Sequence, residues 1–207
     1  MNRVGYENRV GYENRVGYEN TNVTAGLISD IPGSSGQEVC GGSLLSTNRV
    51  LMAAHCWDDG RSKAWRFTVV LGSETLFTGD TRILTSYVVT HPLWNPAFVH
   101  NDVAMIRLPE HVVLSVDSIN KNQLLNFVNM AVITNEICNV AVFGDIQSSN
   151  ICTNTLGGKS TCRGDSGGPL VVQRRVRTVL VGVTSLFNFL GCEFGWPVLF
   201  SRVTSFL

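Results

Sequence analysis

The sequence predicts an all-β fold, and three features carry that expectation. Its apolar runs are short and rich in β-branched residues, turn residues separate them, and helical periodicity is scarce. Arg66–Leu71 is a short β-rich run that ends at Gly72, and residues 81–89 are rich in β-branched residues. Residues 102–108 form a mostly apolar run stopped by Pro109. Residues 140–143 read as a strand before Gly144. Residues 170–172 and 178–185 flank a basic turn at Arg174, Arg175 and Arg177. Residues 120–130 fit strand and helix equally, and a short terminal helix is expected over residues 201–207. Many short strands of this kind build a sandwich or a barrel.

Composition narrows the function. The chain has 207 residues, 44% of them hydrophobic and only 15% charged, which opposes disorder and gives enough chain for a sizeable core. Sixteen Lys+Arg balance sixteen Asp+Glu, so no basic face is available to neutralise a nucleic-acid backbone. No apolar run reaches the length of a membrane-spanning helix. The six cysteines lack the closely spaced pairs of a zinc site, and an even number suits disulfides in a secreted protein. Their pairing stays open among 15 possibilities. The chain opens Met1-Asn2-Arg3-Val4 without an apolar leader, so a signal peptide is expected upstream or lost.

Residues 2–19 are three copies of Asn-Arg-Val-Gly-Tyr-Glu, and a fourth fails at Thr21. Six residues are too few for a solenoid unit, so residues 1–24 read as an exposed tail ahead of a domain over 25–207. Asn22-Val23-Thr24 is a glycosylation sequon, usable only in a secreted chain.

The chemistry concentrates at Gly164-Asp165-Ser166-Gly167-Gly168-Pro169. A nucleophilic serine needs a base, a group that orients the base, and donors for the oxyanion. Glycines beside Ser166 let the backbone approach substrate, and the amides of Gly164 and Ser166 can converge on one oxygen. Of four histidines, His55 stands in Ala53-Ala54-His55-Cys56, next to a cysteine that can clamp its loop, while His91, His100 and His111 read as surface residues. Asp102 heads an apolar strand, where a carboxylate needs a hydrogen-bonded partner such as an imidazole N–H.

The order His55, Asp102, Ser166, with Cys40-Gly41-Gly42-Ser43-Leu44 and Ser201-Arg202-Val203-Thr204, resembles the chymotrypsin/trypsin family of serine endopeptidases from about Ala25 to the C-terminus. The texture of residues 69–73 and 181–185 is most similar to insect digestive members, especially lepidopteran ones. The resemblance implies two antiparallel six-stranded barrels, about 25–110 and 120–207, with the active site between them. It implies disulfides Cys40–Cys56, Cys138–Cys152 and Cys162–Cys192. It makes Asp165 the partner of a new N-terminal ammonium after zymogen cleavage and Ser185 a hydrogen-bond partner of Asp102. Ser160 falls at the base of the specificity pocket, beside Thr161 and Arg163. An uncharged Ser160 argues against Arg or Lys as the preferred residue. Secretion, polypeptide substrates, protein protease inhibitors as partners, a monomeric state and no metal or organic cofactor follow from the same resemblance.

Three departures stand out. The activation sites are Arg-Val-Gly rather than the family's apolar pair, and Val10, after Arg9, has the best spacing to Ala25. Phe187 and Val198 replace pocket-wall glycines, which predicts a shallow, elastase-like or blocked slot. The stretch from Asp102 to Ser166 is roughly thirty residues shorter than the family pattern. The loss falls near residues 120–123 and removes a strand, so the second barrel is expected to be open or rearranged. The competing reading is an impaired homologue, or a truncated splice or gene-model product, acting as a binding decoy or without function.

Overall fold

The computed structural model describes residues 8–11, 23–34, 37–71, 76–77, 81–112, 127–142, 145–175, 177–186 and 195–207. Expectations for Phe187, Cys192 and residues 113–126 lie outside them.

The first sheet holds β2 (Val23–Asp30), β3 (Gln37–Ser46), β4 (Arg49–Met52), β5 (Arg66–Leu71), β6 (Thr81–Thr85), β7 (Val88–Thr90) and β8 (Ala104–Arg107), all counted after a first strand, β1 (Asn8–Gly11). Its order is β6-β5-β2-β3-β4-β8-β7. The strands at its two ends, β6 and β7, are joined through only Ser86 and Tyr87, so the sheet curls until its margins meet. Leu27, Val50, Met52, Phe67, Val69, Leu71 and Ile106 are fully buried inside it. Alternation explains this: in β5, Phe67, Val69 and Leu71 share one face of the pleat and reach the same core.

The second sheet holds β9 (Phe127–Met130), β10 (Val132–Ile133), β11 (Asn150–Thr153), β12 (Pro169–Arg174), β13 (Arg177–Leu186) and β14 (Val198–Arg202), in the order β10-β11-β14-β13-β12-β1-β9. Its end strands β9 and β10 are likewise contiguous, separated by Ala131. Met130, Ile151, Leu170, Val198 and Phe200 form its buried core. Each described sheet therefore has seven strands rather than six, because a short break divides one continuous run in each.

Four expectations change. The opening predicted in the second barrel is occupied by β1, which pairs antiparallel with β12 on one side and β9 on the other. Residues 8–11 thus belong to the second sheet, not to an exposed tail; the unpaired margins of β12 and β9 supply the backbone partners. Residues 140–142 close a helix, α1 (Asn135–Val142), instead of a strand. The Thr134 hydroxyl accepts the Ile137 amide at the helix start, and Cys138 fixes the helix to β11, so local capping and a crosslink override β-propensity. The C-terminal helix is only the single 3-10 turn Val203–Ser205, because Ser201 and Arg202 remain in β14.

Candidate active site

The two sheets meet around Asp102. Its carboxylate is fully buried, a placement that demands hydrogen-bond donors on every side. Oδ1 accepts the His55 amide at 2.9 Å, and Oδ2 accepts His55 Nδ1–H at 2.7 Å and the Ser185 hydroxyl at 2.6 Å. The Ser201 hydroxyl donates to the Asp102 carbonyl at 2.9 Å. His55 comes from a 3-10 turn of the first sheet, while Ser185 and Ser201 come from β13 and β14 of the second. Asp102 is thus a joint between the halves as well as a partner of His55.

A carboxylate at this distance accepts only, so Nδ1 carries the proton and Nε2 keeps its lone pair. Burial disfavours the imidazolium, but the charge and hydrogen bond of Asp102, with Asp59 and Glu38 farther off, outweigh it. His55 therefore titrates above its ordinary value.

Ser166 reaches this region through backbone contacts. The Gly41 amide on β3 donates to the Ser166 carbonyl at 2.6 Å, and Cys56 Sγ lies 3.8 Å from the same oxygen. The Gly167 amide donates to Thr184 at 2.7 Å. Gly167 has φ +81°, and a Cβ there would collide with the Gly41 carbonyl. Gly164 has φ +95°, a left-handed conformation open to glycine. Among the described residues no hydrogen bond joins the Ser166 hydroxyl to His55, a contact that commonly tightens only with substrate bound.

The Cys40–Cys56 disulfide ties β3 to the histidine turn, and Cys138–Cys152 ties α1 to β11. Cys162 is disulfide-bonded; Cys192 lies outside the described residues. Both sulfurs near His55 are committed to the disulfide, so the cluster Cys40, His55, Cys56 offers no thiolate pair to a metal. His91 stacks edge-on against Phe206, and His111 bonds Thr47 Oγ1 at 2.7 Å.

The pocket residues separate. Ser160 is half-buried and donates to the Thr161 carbonyl at 2.9 Å; Thr161 is buried, and Arg163 is exposed. Val198 has no exposure and packs with Leu170 and Phe200, so it belongs to the second core rather than projecting into an open slot. Asp165 accepts the Cys162 amide at 2.7 Å, and burial raises its pKa. In the uncleaved chain Val10 lies inside β1 with its backbone opposite Leu170 and Val128. The sequence reading missed the role of Ser201. Its only signal was a serine that follows the apolar Val198-Leu199-Phe200 run of the strand Val198–Arg202.

The trypsin family pattern matches residues 27–123 and 115–207. Collagenase of Hypoderma lineatum is 34% identical over 196 residues, covering 81% of this chain and 73% of that protein. Brachyurin of Leptuca pugilator is 33% identical over 199 residues, covering 81% and 84%. A solved structure of HL collagenase superposes with a TM-score of 0.77 at 32% identity, covering 95% of this chain and 94% of the other. With a two-barrel fold, a buried Asp–His pair and this kinship, the chain belongs to the trypsin family of serine proteases.

Proposed function

We propose that this chain is a secreted, digestive endopeptidase that works through His55, Asp102 and Ser166. The observation that carries the reading is the buried Asp102 carboxylate bonded to His55 Nδ1, which leaves Nε2 as an oriented base. Ser166 Oγ attacks the peptide carbonyl and its proton passes to His55 Nε2. The amides of Gly164 and Ser166 receive the oxyanion. Collapse of the tetrahedral intermediate passes that proton from His55 to the leaving amine and leaves an acyl group on Ser166. Water then attacks the ester, with His55 again taking the proton, and releases the acid. Asp102 holds the His55 ring in place and stabilises the imidazolium.

The preferred residue is small and apolar: Ser160 supplies no negative charge for Arg or Lys, and the sequence carries Phe187 where the family keeps a pocket-wall glycine. The disulfides support an oxidising compartment, and a digestive role rests on family resemblance. Protein inhibitors would occupy the substrate cleft. Cleavage after Arg9 would free the Val10 ammonium for Asp165, whose half-buried carboxylate lacks a cationic partner among the described residues. The same cut would divide β1.

The test is a fluorophosphonate probe on the full chain, with and without Arg-specific cleavage. Labelling that requires Ser166 and disappears in Ser166→Ala supports the enzyme. A folded, cleaved chain that takes no label would instead be an impaired homologue. Faster turnover of Phe- or Arg-directed peptides than Ala-directed ones would overturn the specificity.

A further inference from the structure

The repeat has a place in the fold that its tail-like sequence does not suggest. In β1, Asn8, Arg9 and Val10 stand opposite Val172, Val171 and Leu170 of β12. On the other side, Asn8, Arg9, Val10 and Gly11 stand opposite Met130, Asn129, Val128 and Phe127 of β9. Without β1, two strand margins would carry unpaired N–H and C=O groups where a sheet should close. One of those strands, β12, begins three residues after Ser166.

The same four letters, Asn-Arg-Val-Gly, stand at 2–5, 8–11 and 14–17. Sliding by one copy moves the strand six residues. Strand side chains alternate with a period of two, so an even shift keeps every residue type opposite its former partner and on its former face. A shift of any odd length would exchange the two faces. The repeat length thus preserves both sequence register and pleat register, and only the connection to β2 changes.

We propose that the position between β12 and β9 is a strand-acceptor site whose ligand is an extended Asn-Arg-Val-Gly segment, and that the copies at 2–5 and 8–11 exchange within it. The longer connection left by the first copy disfavours it only through loop closure, by about twofold. A cut following Arg9 would release the first copy on a separate peptide of residues 1–9, so the exchange belongs to the uncleaved chain. The site stands apart from the catalytic reading, because it concerns strand pairing alone.

Disulfide trapping in the full chain tests it. A chain carrying Arg3→Cys, Arg9→Cys and Asn129→Cys is oxidised mildly and its links are mapped by peptide mass, with retention of Cys40–Cys56 and Cys138–Cys152 checked in the same map. Asn129 is exposed, so a thiol introduced there is accessible. Both 3–129 and 9–129 links are expected within one chain, the second about twice as abundant. Formation of the 9–129 link alone, or of neither, overturns the exchange. Equal capture of a Tyr6→Cys control also overturns it, because that residue is out of register. The unmodified chain gives an independent reading by amide hydrogen exchange. Protection shared between residues 2–5 and 8–11 supports the proposal, and protection confined to 8–11, or missing from both, refutes it.

Discussion

Asp102 is the residue on which the two halves and the base depend together. Asp102→Asn keeps the volume but offers Nδ1 the wrong partner, so kcat should fall by about 10⁴. The proposed base must be neutral, and Asp102 holds the His55 pKa up, so the acid limb of the kcat/KM profile should lie above the ordinary imidazole value and move down in that variant. A limb that does not move would remove Asp102 as the cause. Asp165 also has a raised pKa, but here the cause is burial, which disfavours the charged form. Burial raises its folded pKa above the unfolded value, so ionisation opposes folding. That cost is absent below the unfolded pKa and complete once pH has risen past the folded one. Asp165→Asn should therefore raise the melting temperature of the uncleaved chain at pH 7 and leave it unchanged near pH 3. Gly167→Ala should abolish labelling by the serine probe, because φ +81° and the Gly41 carbonyl leave no room for a Cβ.

Among the elements, α1 shows where sequence reading stops. Val140, Ala141 and Val142 have strand-like composition, yet Val140 is exposed on a helix held by the Thr134 cap and Cys138. Local propensity is a weak preference, and a crosslink to β11 outweighs it. Replacing Cys138 and Cys152 by serine should lower stability by ~3 kcal/mol, measured by urea unfolding under non-reducing conditions. The β5 strand was readable because its β-branched run and the glycine that follows it are neighbouring letters. The His55–Asp102 pair was readable for a related reason: each residue sits in a local motif.

At the scale of the molecule, the second sheet depends on a strand from far outside its own sequence region. A chain that begins at Asn22 lacks β1, so it should melt at a lower temperature and associate through the uncovered margins of β12 and β9. An unchanged melting temperature and a monomeric sedimentation profile would mean that β1 contributes nothing. By itself the sequence determined the β-rich texture and family, and it pointed to the His55–Asp102 pair, because each is written in local letters or spacing. Only the tertiary structure decided that Ser201 holds the Asp102 carbonyl, that Val198 is core, and that residues 8–11 occupy the second sheet. Those outcomes are fixed by backbone groups and cavities contributed from distant segments, and a buried donor or an unpaired strand margin takes whichever partner the folded chain brings to it.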